Sequence, residues 1–199
     1  PFETAPFEKI KVEHYLPAFE AAMAEHDKEI QAIIDNAEEP NFDNTIAALD
    51  YAGETLSKVA GVFFNMMAAN TSEELQKVNE EVGPMMATHS DNISMNSKLF
   101  EKIKAVYDAK DSQKYTGEQL ALLEKTYNKF VRSGALLDAA KQEELRKVNA
   151  ELTKVEAKFD ANLLKESKAY QLVIDKEENL KGLPQGEIEK AAALDRKST

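Results

Sequence analysis

The sequence contains no cysteine, which excludes disulfide scaffolds, thiolate metal sites and cysteine nucleophiles. Its 199 residues include only seven glycines and six prolines, a composition that favours long regular elements over a loop-rich β fold. No apolar run approaches the roughly 20 residues of a membrane-spanning helix, so we expect no membrane span. The length suits one domain with a sizeable core or two small ones. The absence of cysteine leaves cytoplasmic and periplasmic locations open.

Charge is distributed unevenly along the chain. Residues 1–100 carry 18 acidic and 6 basic residues, a net charge of −12, whereas residues 101–199 carry 18 acidic and 19 basic residues, a net charge of +1. An acidic half argues against a nucleic-acid partner, because binding to phosphates depends on Lys and Arg. We interpret the acidic residues as a solvent-facing surface that keeps the protein soluble.

Apolar residues recur at spacings of three and four over most of the chain, which predicts a helical protein. Capping boxes formed by Thr71 with Glu74 and by Thr116 with Gln119 are expected to open the third and fifth helices. Gly83-Pro84 predicts a kink in the third helix. The six expected helices cover about 13–36, 44–69, 71–89, 97–107, 116–134 and 138–168.

The sixth predicted helix carries apolar residues in the 3-4-3-4 spacing of a coiled-coil seam. This pattern predicts an antiparallel packing ridge made of Leu145, Val148, Leu152, Val155, Phe159 and Leu163. At 169–175 the period changes to two, since Tyr170, Leu172 and Ile174 alternate with Gln171, Val173 and Asp175, and β-branched residues are present. This segment therefore predicts one short strand, and a short helix is expected near 187–194. We therefore expect a mainly α fold, with a bundle of about six helices at 1–168 and a strand with a short helix at 169–199. Because a lone strand needs a partner, this pattern indicates a truncated part of a larger fold.

The three histidines, His14, His26 and His89, form no recognisable catalytic or metal-binding motif. None lies in H-E-x-x-H, and none follows a Glu by three residues. His26 and Glu29 could share a metal on one helix, but they lack a third ligand, and we interpret His26 and His89 as packing histidines on apolar stripes. Motifs for a nucleophilic serine and for phosphate binding are absent as well. The sequence therefore predicts no catalytic, cofactor-binding or metal-binding residue in this chain.

Several separated segments resemble, in order, the N-terminal region of one enzyme family. Residues 6–23 match its Pro-Phe opening and its E-H-Y-x-P-A-F-E-A helix, through Glu13, His14, Tyr15, Pro17, Ala18, Phe19, Glu20 and Ala21. Residues 40–78 match its F-x-N-T-I-x-A-L-E stretch and the Phe-rich helix end that follows, through Phe42, Asn44, Thr45, Ile46, Leu49, Phe63, Phe64, Asn65 and Asn70. Further matches lie at 89–108, 130–138, 169–175 and 182–184. The chain thus resembles the thimet-oligopeptidase family of zinc metallopeptidases, and in particular its peptidyl-dipeptidases.

The resemblance implies the helical N-terminal part of a longer enzyme that releases dipeptides from the C-terminus of short peptides. In the family, zinc is held by the two histidines of H-E-x-x-H and a downstream Glu, and the helical part covers the substrate channel. This chain lacks those ligands, so we expect it to bind no zinc and to be inactive alone, with its missing catalytic domain as partner. The alternative is a stand-alone helical module that binds peptides or acts as an adaptor. Exposed apolar surface near 170–194 would favour the first interpretation, and a covered surface the second.

Overall fold

Helices account for most of the chain, in agreement with the periodicity of the sequence. The computed structural model describes residues 5–195. Its α-helices are α1 (Tyr15–Asp35), α2 (Ala48–Tyr51), α3 (Glu54–Ala69), α4 (Glu73–Ser94), α5 (Ser97–Asp108), α6 (Gly117–Arg132), α7 (Ala139–Ala169) and α8 (Gln185–Asp195). Residues 5–195 contain no β-strand, and the prediction of a mainly α fold is confirmed. None of the helices in this range is both long and apolar enough to cross a membrane.

Polar side chains at the helix starts accept hydrogen bonds from backbone N–H groups that the helix itself leaves unpaired. At the start of α6, Thr116 and Gln119 form the predicted capping box. At the start of α4, the prediction was wrong by one residue, because the Ser72 hydroxyl accepts from the backbone of Leu75 at 3.2 Å. The Thr71 hydroxyl instead contacts the sulfur of Met67 near the end of α3. Helix α4 then continues through the predicted kink site at 83–84 as one element.

The predicted second helix, 44–69, is divided by a break at Gly53. Gly53 has a φ of +79°, a left-handed conformation that glycine adopts readily because it has no Cβ. A π-helical turn, Phe42–Ala47, leads into α2, and α3 begins directly after Gly53. The Glu29 carboxylate of α1 accepts a hydrogen bond from the Gly53 N–H at 2.7 Å, which holds the break against α1.

Two hydrophobic clusters form the core, and α1 contributes to both. The first, the Phe63 cluster, joins the N-terminal half of α1 to α3 and α4, through Tyr15, Phe19, Ala22, Met23, Leu56, Phe63, Leu75 and Val82. The second, the Ile103 cluster, joins the C-terminal half of α1 to the π-helical turn, α5 and α6, through Ile30, Ile33, Ile46, Leu99, Phe100, Ile103, Val106, Leu123 and Phe130. The middle of α1 therefore lies where the two clusters meet.

The chain divides into two compact units, Pro1–Lys158 and Phe159–Thr199, and the boundary lies within α7. The predicted domain boundary after residue 168 stays a prediction. In the second unit, residues 170–176 have no regular secondary structure, so the predicted strand at 169–175 is wrong. No partner strand exists within the described residues, and a strand without one leaves its backbone groups unpaired. The predicted short helix is present as α8, whereas residues 196–199 of the predicted segment lie outside the described residues.

Five of the six residues of the predicted packing ridge on the sixth helix are exposed, and Leu145 is half-buried. Val148, Leu152 and Val155 of α7 are 60%, 51% and 57% exposed, and no described residue of this helix is buried. The 3-4-3-4 spacing correctly indicated a helix, but the expected antiparallel packing of this stripe does not occur within the described part of the chain.

Candidate functional site

The described residues contain no group of three or more His, Asp or Glu side chains that could hold a metal ion. His14 lies apart from the other two histidines and accepts a hydrogen bond from the Lys11 N–H through Nδ1 at 3.2 Å. The zinc site that the resemblance implies would need three or four protein ligands, and the described residues do not supply such a set. No catalytic step through a metal can be assigned to this part of the chain.

His26 and His89 are brought together although 63 residues separate them. His89 Nε2 lies 3.0 Å from His26 Nδ1, and the ring centroids are 5.0 Å apart. His26 projects from α1 and is half-buried, whereas His89 projects from α4 and is only 9% exposed. We call these two residues the histidine pair. Both were correctly predicted to lie on packed helix faces, but nothing in the local sequence indicated that they contact each other.

The hydrogen-bond geometry limits how many protons the histidine pair can hold. Asp27 Oδ1 lies 3.4 Å from His89 Nδ1 and favours a proton on that nitrogen. The contact between the rings needs one nitrogen as donor and the other as acceptor. The pair can therefore carry one positive charge and keep this hydrogen bond, but two imidazolium rings would place two N–H groups against each other.

The electrostatic surroundings oppose protonation of His26. Its pKa lies below the ordinary value of 6.5, chiefly because burial disfavours the charged ring and secondarily because His89 adds positive charge. Lys129 of α6 acts in the same direction, whereas the carboxylates of Glu29 and Asp27 oppose the shift. At neutral pH the His26 ring is therefore expected to be uncharged.

The histidine pair lies at the junction of the two hydrophobic clusters. On α1, His26 stands between Met23 of the Phe63 cluster and Ile30 of the Ile103 cluster. A Cβ on Gly53 would lie 2.9 Å from Cε1 of the His26 ring, so the break between α2 and α3 also packs against this ring. The pair thus joins α1 to α4 through polar contacts, and the His26 ring also packs against the break that precedes α3.

We expect the stability of the fold to fall as the pH drops below the ordinary histidine range. Because the His26 pKa is lower in the folded protein than in the unfolded chain, the unfolded chain takes up this proton first. The contribution of the uncharged His26 ring to stability is complete when the pH is above 6.5, and it is lost as the pH falls from there towards the folded-state pKa. Urea unfolding at about pH 7.5 and at about pH 5 should give a lower midpoint at the acidic pH.

The variant His26→Gln should reduce this difference between the two midpoints, because the titrating ring is gone. The variant His14→Gln removes a histidine outside the pair and serves as the control, which should keep the wild-type difference. An equal or larger pH effect in His26→Gln would contradict the assignment to the histidine pair.

Comparison with known proteins identifies the family. Residues 19–142 match the family described as "Neurolysin/Thimet oligopeptidase, N-terminal domain". The dipeptidyl carboxypeptidase of Escherichia coli (strain K12) is 35% identical over 192 residues, which cover 96% of this chain and 28% of that protein. The dipeptidyl carboxypeptidase of Salmonella typhimurium is 36% identical over the same length, with the same coverage.

Relatives with lower sequence identity include oligopeptidases. Oligopeptidase A of Escherichia coli (strain K12) is 22% identical over 196 residues, which cover 97% of this chain and 28% of that protein. The chain thus spans about 28% of the length of these relatives. The match covers α2 to α6 completely and includes most of α1 and the start of α7. The chain belongs to the neurolysin/thimet oligopeptidase family and contains that family's N-terminal domain.

Proposed function

We propose that this domain covers one side of the substrate channel of a zinc metallopeptidase that releases dipeptides from the C-terminus of short peptides. The observation that carries the proposal is the difference in identity between two groups of relatives. The chain is 35% and 36% identical to two dipeptidyl carboxypeptidases, but 22% identical to an oligopeptidase A over a similar length. A peptidyl-dipeptidase parent is therefore favoured over an endopeptidase parent.

In this proposal, the chemistry belongs to the part of the parent protein outside this chain. The described residues contain no set of ligands for zinc. The zinc ligands would lie in a downstream H-E-x-x-H motif with a further Glu. The helices described above would contribute shape, because a wall of packed helices admits a flexible short peptide and excludes a folded protein.

Exposed apolar side chains in the second unit support a domain of a longer protein over a stand-alone adaptor. Tyr170, Leu172 and Val173 are 74%, 71% and 79% exposed, and Leu183 is 48% exposed. Apolar patches on a protein surface are typical of sites that another surface covers. A self-sufficient module would be expected to cover this segment with its own residues.

The first test is the sequence of the parent gene beyond the codon for Thr199. A downstream H-E-x-x-H with a further Glu is expected, and a stop codon shortly after Thr199 would contradict the proposal. The second test is the activity of the full-length protein on a short peptide with a free C-terminus. Mass spectrometry should detect a released C-terminal dipeptide, and amidation of the C-terminus should slow the reaction strongly.

Removal of zinc should abolish this activity. Treatment of the full-length protein with a chelator, followed by dialysis, should stop peptide hydrolysis, and added zinc should restore it. The isolated 199-residue chain is the control and should remain inactive with or without zinc. Zinc-dependent hydrolysis by the isolated chain, after removal of contaminating peptidases, would contradict the assignment of the chemistry to the downstream part.

A further inference from the structure

Helix α7 presents its polar side to its own domain and its apolar side outwards. Half-buried residues recur along one side of the helix, at Gln142, Leu145, Arg146, Asn149, Thr153 and Ala157. Four of these six are polar or charged. The exposed side carries Val148, Leu152 and Val155, which are each more than half exposed. A surface helix of a globular protein normally has the opposite arrangement, with its apolar stripe towards the core.

Specific contacts hold the polar side of α7 in place. The Asn149 side-chain amide donates to the Asp91 carboxylate of α4 at 2.9 Å, and this bond is partly buried. One turn earlier, the Arg146 guanidinium donates to the side chain of Asn92, also at 2.9 Å. Near the helix start, the amide of Gln142 donates to the carbonyl oxygen of Gly134 at 3.1 Å. These bonds determine which side of α7 faces the domain.

The same orientation is supported further along the helix. The methyl group of Thr153 would lie 3.5 Å from a Cβ on Gly83, which places Thr153 in contact distance of α4. From Gln142 to Thr153, the inward side of α7 is thus defined over three turns by contacts with residues of the first unit. The exposure of Val148, Leu152 and Val155 on the opposite side is a consequence of this orientation.

We propose that the outward face of α7, formed by Val148, Leu152 and Val155, is the surface on which the part of the parent protein outside this chain packs. Three aligned apolar side chains at spacings of four and three match the seam that another helix would fill. The relatives extend far beyond the matched region, since this chain covers only 28% of their length. The proposal rests on the proposed function in one respect, namely that the occupant belongs to the same polypeptide.

Cysteine labelling in the full-length protein tests this face directly. The 199 residues contain no cysteine, so one engineered thiol in this segment is unique within it, and any cysteines further along are replaced by Ser or Ala. The variant Leu152→Cys places the thiol on the outward face. The matched control Lys154→Cys places it two residues away at another exposed position of the same helix. Reaction with a water-soluble maleimide is followed by mass spectrometry.

If the face is covered, Leu152→Cys should react at least about tenfold more slowly than Lys154→Cys, because labelling then requires local opening of the interface. The variant Val148→Cys should be protected to a similar extent. Equal labelling rates at residues 152 and 154 would overturn the proposal. Protection that disappears on dilution, together with a dimer in light scattering, would also overturn it, because the occupant would then be a second copy.

The labelling result is independent of the catalytic assay. Protection of Leu152→Cys in a full-length protein that releases no dipeptides would support the docking face while contradicting the proposed activity. Dipeptide release by a full-length protein in which Leu152→Cys labels freely would support the proposed activity and contradict the docking face.

Discussion

Replacement of Phe63 by Ala should lower the free energy of unfolding by about 3–5 kcal/mol, the range typical of a fully buried Phe→Ala change. Phe63 is 0% exposed and lies at the centre of the cluster named after it. Its ring makes edge-on contacts with Tyr15 and Phe19, with centroids 5.0 Å and 5.4 Å apart. The substitution removes these contacts and leaves a cavity that the rigid helices α1, α3 and α4 can close only in part. Urea unfolding followed by circular dichroism measures the effect.

The neighbouring residue offers a matched control. Phe64 has the same side chain on the same helix, but it is 42% exposed. Phe64→Ala should therefore cost clearly less than Phe63→Ala, because less apolar surface is lost and no closed cavity forms. Equal losses at the two positions would show that the burial pattern of α3 described above is incorrect.

Replacement of Gly53 by Ala should lower the free energy of unfolding by about 1–3 kcal/mol through backbone strain and a steric clash. The φ of +79° is unfavourable for any residue with a Cβ. The new methyl group would also lie 2.9 Å from Cε1 and 3.0 Å from Nδ1 of the His26 ring. That ring cannot move freely, because Nδ1 is hydrogen-bonded to His89. Urea unfolding gives the magnitude.

Gly61 provides a control with the opposite expected sign. It lies inside α3, and a Cβ there would meet nothing within 4 Å. Gly61→Ala should stabilise the protein by about 0.5–1 kcal/mol, because Ala is favoured over Gly in a helix interior. Combining Gly53→Ala with His26→Ala should recover the steric part of the loss but not the strain. A Gly53→Ala variant as stable as the wild-type protein would contradict the left-handed break.

Local interactions explain why most of the fold could be predicted. The starts of α5 and α6 follow from Asn96 and Thr116, whose side chains bond backbone groups three residues away. The period of the apolar residues places α1 and α7 to within about two residues, whereas α4 continues to Ser94, beyond its predicted end near residue 89. The break at Gly53 had a local signal, a glycine within a helical pattern, but an isolated glycine is also tolerated inside a helix, as Gly61 shows.

The candidate site was less predictable, because its parts come together only in the folded chain. His26 and His89 were correctly interpreted as packed residues, but the contact between them joins positions 63 residues apart. The predicted strand failed for a related reason. The alternation of apolar and polar residues at 169–175 favours an extended conformation with one apolar face. A stable strand forms only if a second strand is available to pair with it.

The sequence by itself determined most of the helices, the polar cap of α6 and the family, because these depend on neighbouring residues and on motifs that can be compared directly. Only the tertiary structure decided which side of α7 faces its domain and which distant helices meet. In α7, both an apolar row and a polar row run along the helix, and the apolar row is the natural prediction for the buried side. Hydrogen bonds from Arg146 and Asn149 to α4 turn the polar row inwards. The orientation of a helix depends on the surface it meets, and that surface is assembled from residues distant in the chain.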